Sequence, residues 1–162
     1  MSVSHHNVIP VNNFDFLIGS WNVHNRRLDK TLAGSDEWHE FPGISTCHTA
    51  FDGAGNFDEI VFPTLGTRGL TLRLFNPATK EWSLYWASSR DGLLTAPVIG
   101  AFGDDGRGEF FGDDLDDGHP VQVRFIWSEI TPSSARWEQA YWDVAKQFWE
   151  TNWIMELTRR SA

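Results

Sequence analysis

Gly69-Leu70-Thr71-Leu72-Arg73-Leu74-Phe75 and Glu81-Trp82-Ser83-Leu84-Tyr85-Trp86-Ala87-Ser88 flank the short connection Asn76-Pro77-Ala78-Thr79-Lys80, and their alternation decides the fold class. Apolar residues recur at every second position in both runs, which is the period of a half-buried strand rather than of a helix. Asn-Pro between them is turn chemistry, since proline fixes φ and cannot donate to a ladder. The pair reads as a β-hairpin. Leu70, Leu72 and Leu74 share one face and Trp82, Leu84 and Trp86 another, both expected to point inward, with Arg73 and Glu81 on the solvated side.

The same pattern repeats outward in both directions. Extended segments are expected over residues 21–28, 35–51, 56–62, 69–75, 81–88, 98–102, 108–111, 120–130, 135–142 and 148–159. Turn residues separate them, among them Asp52-Gly53-Ala54-Gly55, Asp104-Asp105-Gly106, Asp117-Gly118 and Thr131-Pro132-Ser133. About ten short strands without intervening helical periods predict an all-β antiparallel barrel in one domain spanning 1–162. A short N-terminal helix is expected near residues 12–18, preceded by a poorly ordered arm over 1–11. Val121, Val123, Phe125 and Trp127 form a further inward row, as do Trp149, Trp153, Met155 and Leu157. Gln122, Arg124, Glu150 and Glu156 complete the outer wall. Phe75, Tyr85, Ile126 and Ile154 also fall on that polar side, as an oligomer interface or as scattered surface residues.

The composition narrows function. The chain of 162 residues carries a net charge of -9, and no basic cluster extends beyond Arg26-Arg27 and Arg159-Arg160. A nucleic-acid or anionic-membrane partner needs a cationic footprint, so neither is expected. No apolar run approaches the ~18 residues of a spanning helix. Met1 to Asn13 shows no secretory signal pattern and Cys47 has no second cysteine to pair with, which together predict a cytoplasmic protein. Aromatics make up 14% of the residues, nine of them tryptophan, far more than a small core requires.

Phe14-Asp15-Phe16-Leu17-Ile18-Gly19-Ser20-Trp21 places a Gly-x-Trp at the start of the first strand, and Trp153-Ile154-Met155-Glu156-Leu157-Thr158-Arg159 ends the last. This resembles the calycin arrangement of lipocalins and fatty-acid-binding proteins. The resemblance implies that Trp21 closes one barrel end while a last-strand arginine packs across it. Residues 21–28, 134–140 and 149–153 are similar to an uncharacterised bacterial family of calycin-like barrels, which supplies a fold and no catalytic residues. Ten strands, one cysteine and no secretion signal separate the chain from lipocalins, so extracellular transport is not implied.

Polar residues interrupt the expected inward rows. Asn25 and Arg27 continue the Trp21/Val23 row, Ser88 follows Trp86, Gln139 and Tyr141 interleave with Trp137, and Thr151 lies between Trp149 and Trp153. An unpartnered buried polar group costs ~1–3 kcal/mol, so a solid core rarely accepts them. A hollow barrel that binds a small hydrophobic or aromatic molecule does. Asn25, Arg27, Ser88, Gln139, Tyr141 and Thr151 would orient the ligand and Trp86, Trp127 and Trp153 would wall it, and this reading requires an interior cavity near ~300 Å³. The competing readings are that these groups satisfy one another, or that the barrel is a dimerising module presenting Tyr85 and Trp142, with a homodimer as partner. An isomerase or cyclase would need a titratable group inside, with Glu138 or His24 as candidates. No cofactor and no metal are expected. His24, His39 and His48 lack metal-ligand spacing, and Asp113 to Arg124 fails the calcium-loop pattern because Leu115 and Arg124 occupy ligand positions. The acidic residues read instead as two hairpin tips at one barrel end.

Overall fold

The computed structural model describes residues 13–161; the expected arm over 1–11, and Asn12 of the expected helix, lie outside the described residues. Ten strands close into one antiparallel barrel: β1 (Gly19–Leu28), β2 (Trp38–Ala50), β3 (Gly55–Phe62), β4 (Thr67–Asn76), β5 (Glu81–Ser88), β6 (Val98–Phe102), β7 (Gly108–Asp116), β8 (His119–Ser128), β9 (Ser134–Asp143) and β10 (Phe148–Arg159). Each strand pairs with its chain neighbours, and β1 pairs with β10 to close the ring. Closure gives every strand a neighbour on both sides over at least part of its length. The expected N-terminal helix is a single 3₁₀ turn, Asp15–Leu17.

That turn plugs one end. Phe14 packs edge-on against Trp82 and Phe102, with centroids 4.9 and 4.8 Å apart. Trp21 is fully buried and its Nε1 donates to the Leu17 carbonyl at 2.8 Å. The Arg159 guanidinium lies 4.2 Å from the Trp21 ring centre and donates to the carbonyls of Ile18, Phe16 and Pro132. One arginine thus ties the first strand, the plug and the β8–β9 connection together.

Two strands differ in phase from their sequence reading. On β4 the inward residues are Gly69, Thr71, Arg73 and Phe75: Arg73 is 4% exposed while Leu70 is 42% exposed. Leu70, Leu72 and Leu74 therefore face out and Phe75 faces in, against Trp82 at 5.4 Å. Arg73 is tolerated inside because β3 supplies partners. Its Nη1 meets Asp58 Oδ2 at 2.6 Å and donates to Asn56 Oδ1 at 3.0 Å. On β10 the register against β9 shifts between Thr151 and Trp153, so Asn152 is a bulge. One extra residue exchanges the faces of everything before it. Trp149 and Thr151 consequently face out, Glu150 faces in, and Trp149 packs against Trp142, Phe111 and Arg124 on the outer wall. Ile126 and Ile154, though outward, are buried at 1% and 8%, each opposite Glu138 in the ladder.

The acidic tips do not share an end. Asp104-Asp105-Gly106 joins β6 to β7, Asp117-Gly118 joins β7 to β8, and Asp113 to Asp116 belong to β7 itself. Successive turns of a meander necessarily alternate between ends.

Candidate functional site

A cavity of about 90 Å³ lies inside the barrel. Its wall is largely aromatic: Trp86, Trp127, Trp137, Trp153 and Phe125 line it. Trp153 is the centre of the cluster, with centroid distances of 5.5 Å to Trp137 and 6.1 Å to Trp86, both near perpendicular. Gly69 makes room for this arrangement, since a Cβ there would stand 1.9 Å from the Trp86 ring. The space falls well short of the ~300 Å³ the sequence reading required, because aromatic side chains fill most of the interior. It is also smaller than the ~150 Å³ dry cavity known to take benzene, so a single ring is the upper limit of what it holds.

The mouth follows from the shortness of β6. Only Trp82 to Leu84 of β5 pair with β6, so the upper half of β7 has no β6 neighbour, and residues 89–97 cross there instead. Thr95 fastens that connection by donating its backbone N–H to the Trp86 carbonyl at 2.8 Å and accepting from Trp86 N–H on Oγ1 at 3.1 Å. Thr95, Ala96, Asp113 and Asp114 line the cavity beside Trp86 and mark its entrance. Burial raises the Asp114 carboxyl above its usual range, with Asp116 adding to the effect. The neighbouring barrel end is roofed by the β1–β2 connection: Thr31 Oγ1 donates to the Asp116 carboxylate at 2.7 Å and Leu32 N–H to Glu150 Oε1 at 2.6 Å.

A second polar patch lies on the β2–β4 side. Ser45, Cys47, Asp58, Thr71 and Arg73 all line the cavity. The Arg73 guanidinium carbon is 5.4 Å from the Phe14 ring centre and 5.7 Å from that of Trp127. Burial pushes the Cys47 thiol up to about 11, against the pull of Arg73. A thiol held neutral in this way is a packing group rather than a nucleophile.

The residues named from sequence divide into three groups. Trp86, Trp127, Gln139 and Trp153 line the cavity. Asn25 is fully buried beside it, with Oδ1 accepting from Trp153 Nε1 at 3.0 Å, and Gln139 Nε2 donates to Asn152 Oδ1 at 2.9 Å. Arg27, Tyr141 and Ser88 do not reach it. Arg27 is exposed at the rim, its guanidinium 4.3 Å from the Trp153 ring centre. Tyr141 is buried, its hydroxyl pushed up to about 12 by desolvation and then by Asp114 and Asp116. Thr151 faces out because of the bulge. Arg73, Asp58, Ser45 and Thr71 are absent from the sequence reading of the site, Arg73 because it reads as an outer-wall charge until the strands are paired.

Neither group named for acid–base chemistry turns inward. His24 is exposed against Glu40 at 3.2 Å, and Glu138 faces out to Arg136 at 3.2 Å. His39 stacks on Phe41 and bonds Asp29, while His48 lies beside Phe57. No cluster of three or more metal-ligating side chains occurs among the described residues. A groove of about 600 Å³ at the plugged end is open to solvent and lined by the β6–β7 turn and residues 128–130.

No protein-family model and no curated protein sequence matches the chain. Among solved structures the barrel is similar to that of the S-type phycobiliprotein lyase CPES from Guillardia theta, with a TM-score of 0.59 and 10% identity over 92% of this chain and 91% of that one. The likeness is one of fold: a calycin-like barrel.

Proposed function

We propose that the barrel interior binds a small, largely apolar or aromatic molecule without covalent attachment. The observation that carries this reading is the cavity walled by Trp86, Trp127, Trp137, Trp153 and Phe125, enclosed below by the Phe14–Trp21 plug and entered beside Thr95 and Asp114. Apolar burial supplies the driving force, at about 25 cal/mol per Å². A volume of about 90 Å³ sets the scale at one ring rather than a lipid chain. A phycobiliprotein lyase built on the same barrel is compatible with an interior put to chemical use, but supplies no residue correspondence at 10% identity.

The test is native mass spectrometry of the purified protein, followed by tryptophan-fluorescence titration with single-ring hydrophobic compounds. Saturable quenching at one equivalent is expected. Absence of saturable binding by every ring-sized compound tried would contradict the reading. A second reading, association of two copies, is favoured by one observation: Ile44, Phe57 and Leu70 on the outer face of β2–β4 are each about 40% exposed. Sedimentation equilibrium tests it. A stable dimer weakened by Leu70→Lys supports it, and a monomer at all concentrations removes it.

A further inference from the structure

The two ends of the barrel differ in what they show to solvent. Strands alternate in direction, so the connections 29–37, 63–66, 89–97, 117–118 and 144–147 gather at the mouth end, spread round the whole circumference. Each carries or borders a large apolar side chain open to water, among them Trp38, Leu65, Leu93, Leu94, Leu115 and Val144. Leu93, Leu115 and Val144 are 68%, 63% and 74% exposed. At the plugged end Phe51 is the one exposed large hydrophobic among the described residues. Leu93 and Leu94 directly precede Thr95, and Leu115 directly follows Asp114, the residues at the cavity entrance. The apolar ring therefore surrounds the mouth. Contiguous or ring-like apolar exposure of this kind marks an interaction surface rather than scattered surface residues.

The charges at the mouth decide what can cover it. Lys30, Arg90 and Lys146 share the connections with Asp36, Asp91 and Asp117, all exposed. A dry protein interface drawn over this end would bury these charges along with the leucines, at a heavy desolvation cost. At a lipid interface the apolar tips sink to the acyl-chain boundary while the charged heads stay in the hydrated headgroup layer. The mixture of signs matches a zwitterionic headgroup, which carries one cation and one anion. An anionic leaflet would meet a chain of net charge -9 with no cationic excess at this end, and a second copy would bring the same net charge. We infer that the mouth end docks on a zwitterionic lipid surface, with the apolar ring inserted and the cavity entrance facing the bilayer. The docking does not depend on interior binding. Where both hold, an apolar molecule passes between lipid and barrel without crossing water.

Co-flotation of the whole chain with phosphatidylcholine vesicles at physiological ionic strength, with no ligand added, tests this. The wild type is expected to float with the vesicles in a saturable, lipid-dependent way. Leu93→Asp/Leu94→Asp should bind at least about tenfold more weakly, since burial of one leucine accounts for that factor. Val144→Asp, on a different connection of the ring, should weaken binding as well. Phe51→Asp, at the plugged end, should leave it unchanged. All four positions are exposed, so the fold tolerates the substitutions. Failure of the wild type to float, an equal loss from Phe51→Asp, or tighter binding to phosphatidylserine vesicles overturns the inference. A wild type that does not float but forms a dimer lost in Leu93→Asp/Leu94→Asp, read by sedimentation velocity, overturns it in favour of self-association. Titration of the interior with single-ring compounds is a separate readout, so either reading can fail while the other stands.

Discussion

At one end of the barrel Phe14, Trp21 and Trp82 are at most 1% exposed, whereas at the other Trp38 is 38% exposed and Arg27, His39 and Ala96 stand open around the buried Trp153. Both ends place an arginine on an indole at nearly the same distance, 4.2 Å for Arg159 on Trp21 and 4.3 Å for Arg27 on Trp153. The difference is what else each guanidinium does. Arg159 also satisfies three backbone carbonyls of the plug and a loop, while among the described residues Arg27 meets the Trp153 ring and forms no hydrogen bond. The same stacking motif therefore staples one end and merely covers a cavity wall at the other.

That contrast can be broken by substitution. Trp21→Ala should cost about 3–5 kcal/mol, the range for a fully packed large aromatic. Trp153→Ala should cost less than Trp21→Ala, because part of its ring already borders empty space; equal losses in urea denaturation would erase the distinction between the ends. Arg73→Met should cost about 3–5 kcal/mol as well, by leaving Asp58 buried without its partner. Arg159→Ala should lose about 2–3 kcal/mol, from the indole contact and the carbonyls it leaves unpaired. Arg27→Ala should lose under about 1 kcal/mol, since it is exposed. Thermal melts of the pair suffice.

The smallest effect is on alkaline stability. The fold holds Cys47 and Tyr141 neutral, raising the thiol from 9.0 to about 11 and the phenol from 10.0 to about 12. Acids whose folded values are raised stabilise the fold fully below their ordinary values, and that contribution is lost as pH climbs toward the folded ones. Stability should therefore fall between about pH 9 and 12. Cys47→Ala should flatten the first part of the decline, read as melting temperature against pH.

The strand count, the turns and the Trp21–Arg159 closure were legible because each is local or sits at the chain's ends. Phase was less so. Leu70-Thr71-Leu72-Arg73-Leu74 alternates cleanly, yet the apolar positions face out, since the cost of burying Arg73 is met by Asp58 and Asn56 on the neighbouring strand. Nothing within β4 signals a partner that lies on β3. Likewise Trp149-Glu150-Thr151-Asn152-Trp153 gives no sign of its bulge, and that one extra residue turns Thr151 outward and Glu150 inward, under the β1–β2 connection. Trp86 and Trp127 lie on strands that run without a register shift there, and Gln139 and Trp153 keep their expected faces because the bulge at Asn152 reverses only the residues before it. Arg27 shows the remaining limit: its parity is inward, but it lies one step beyond the cavity's reach.

The nine tryptophans make the central claim measurable in a single experiment, because their indole N–H groups report separately by ¹⁵N NMR. Titration with a single-ring hydrophobic compound such as benzene should shift the Trp86, Trp127, Trp137 and Trp153 signals together and saturably, leaving Trp38, Trp142 and Trp149 on the outside unmoved. Shifts confined to Trp142 and Trp149, or none at saturating probe, would contradict an interior binding site.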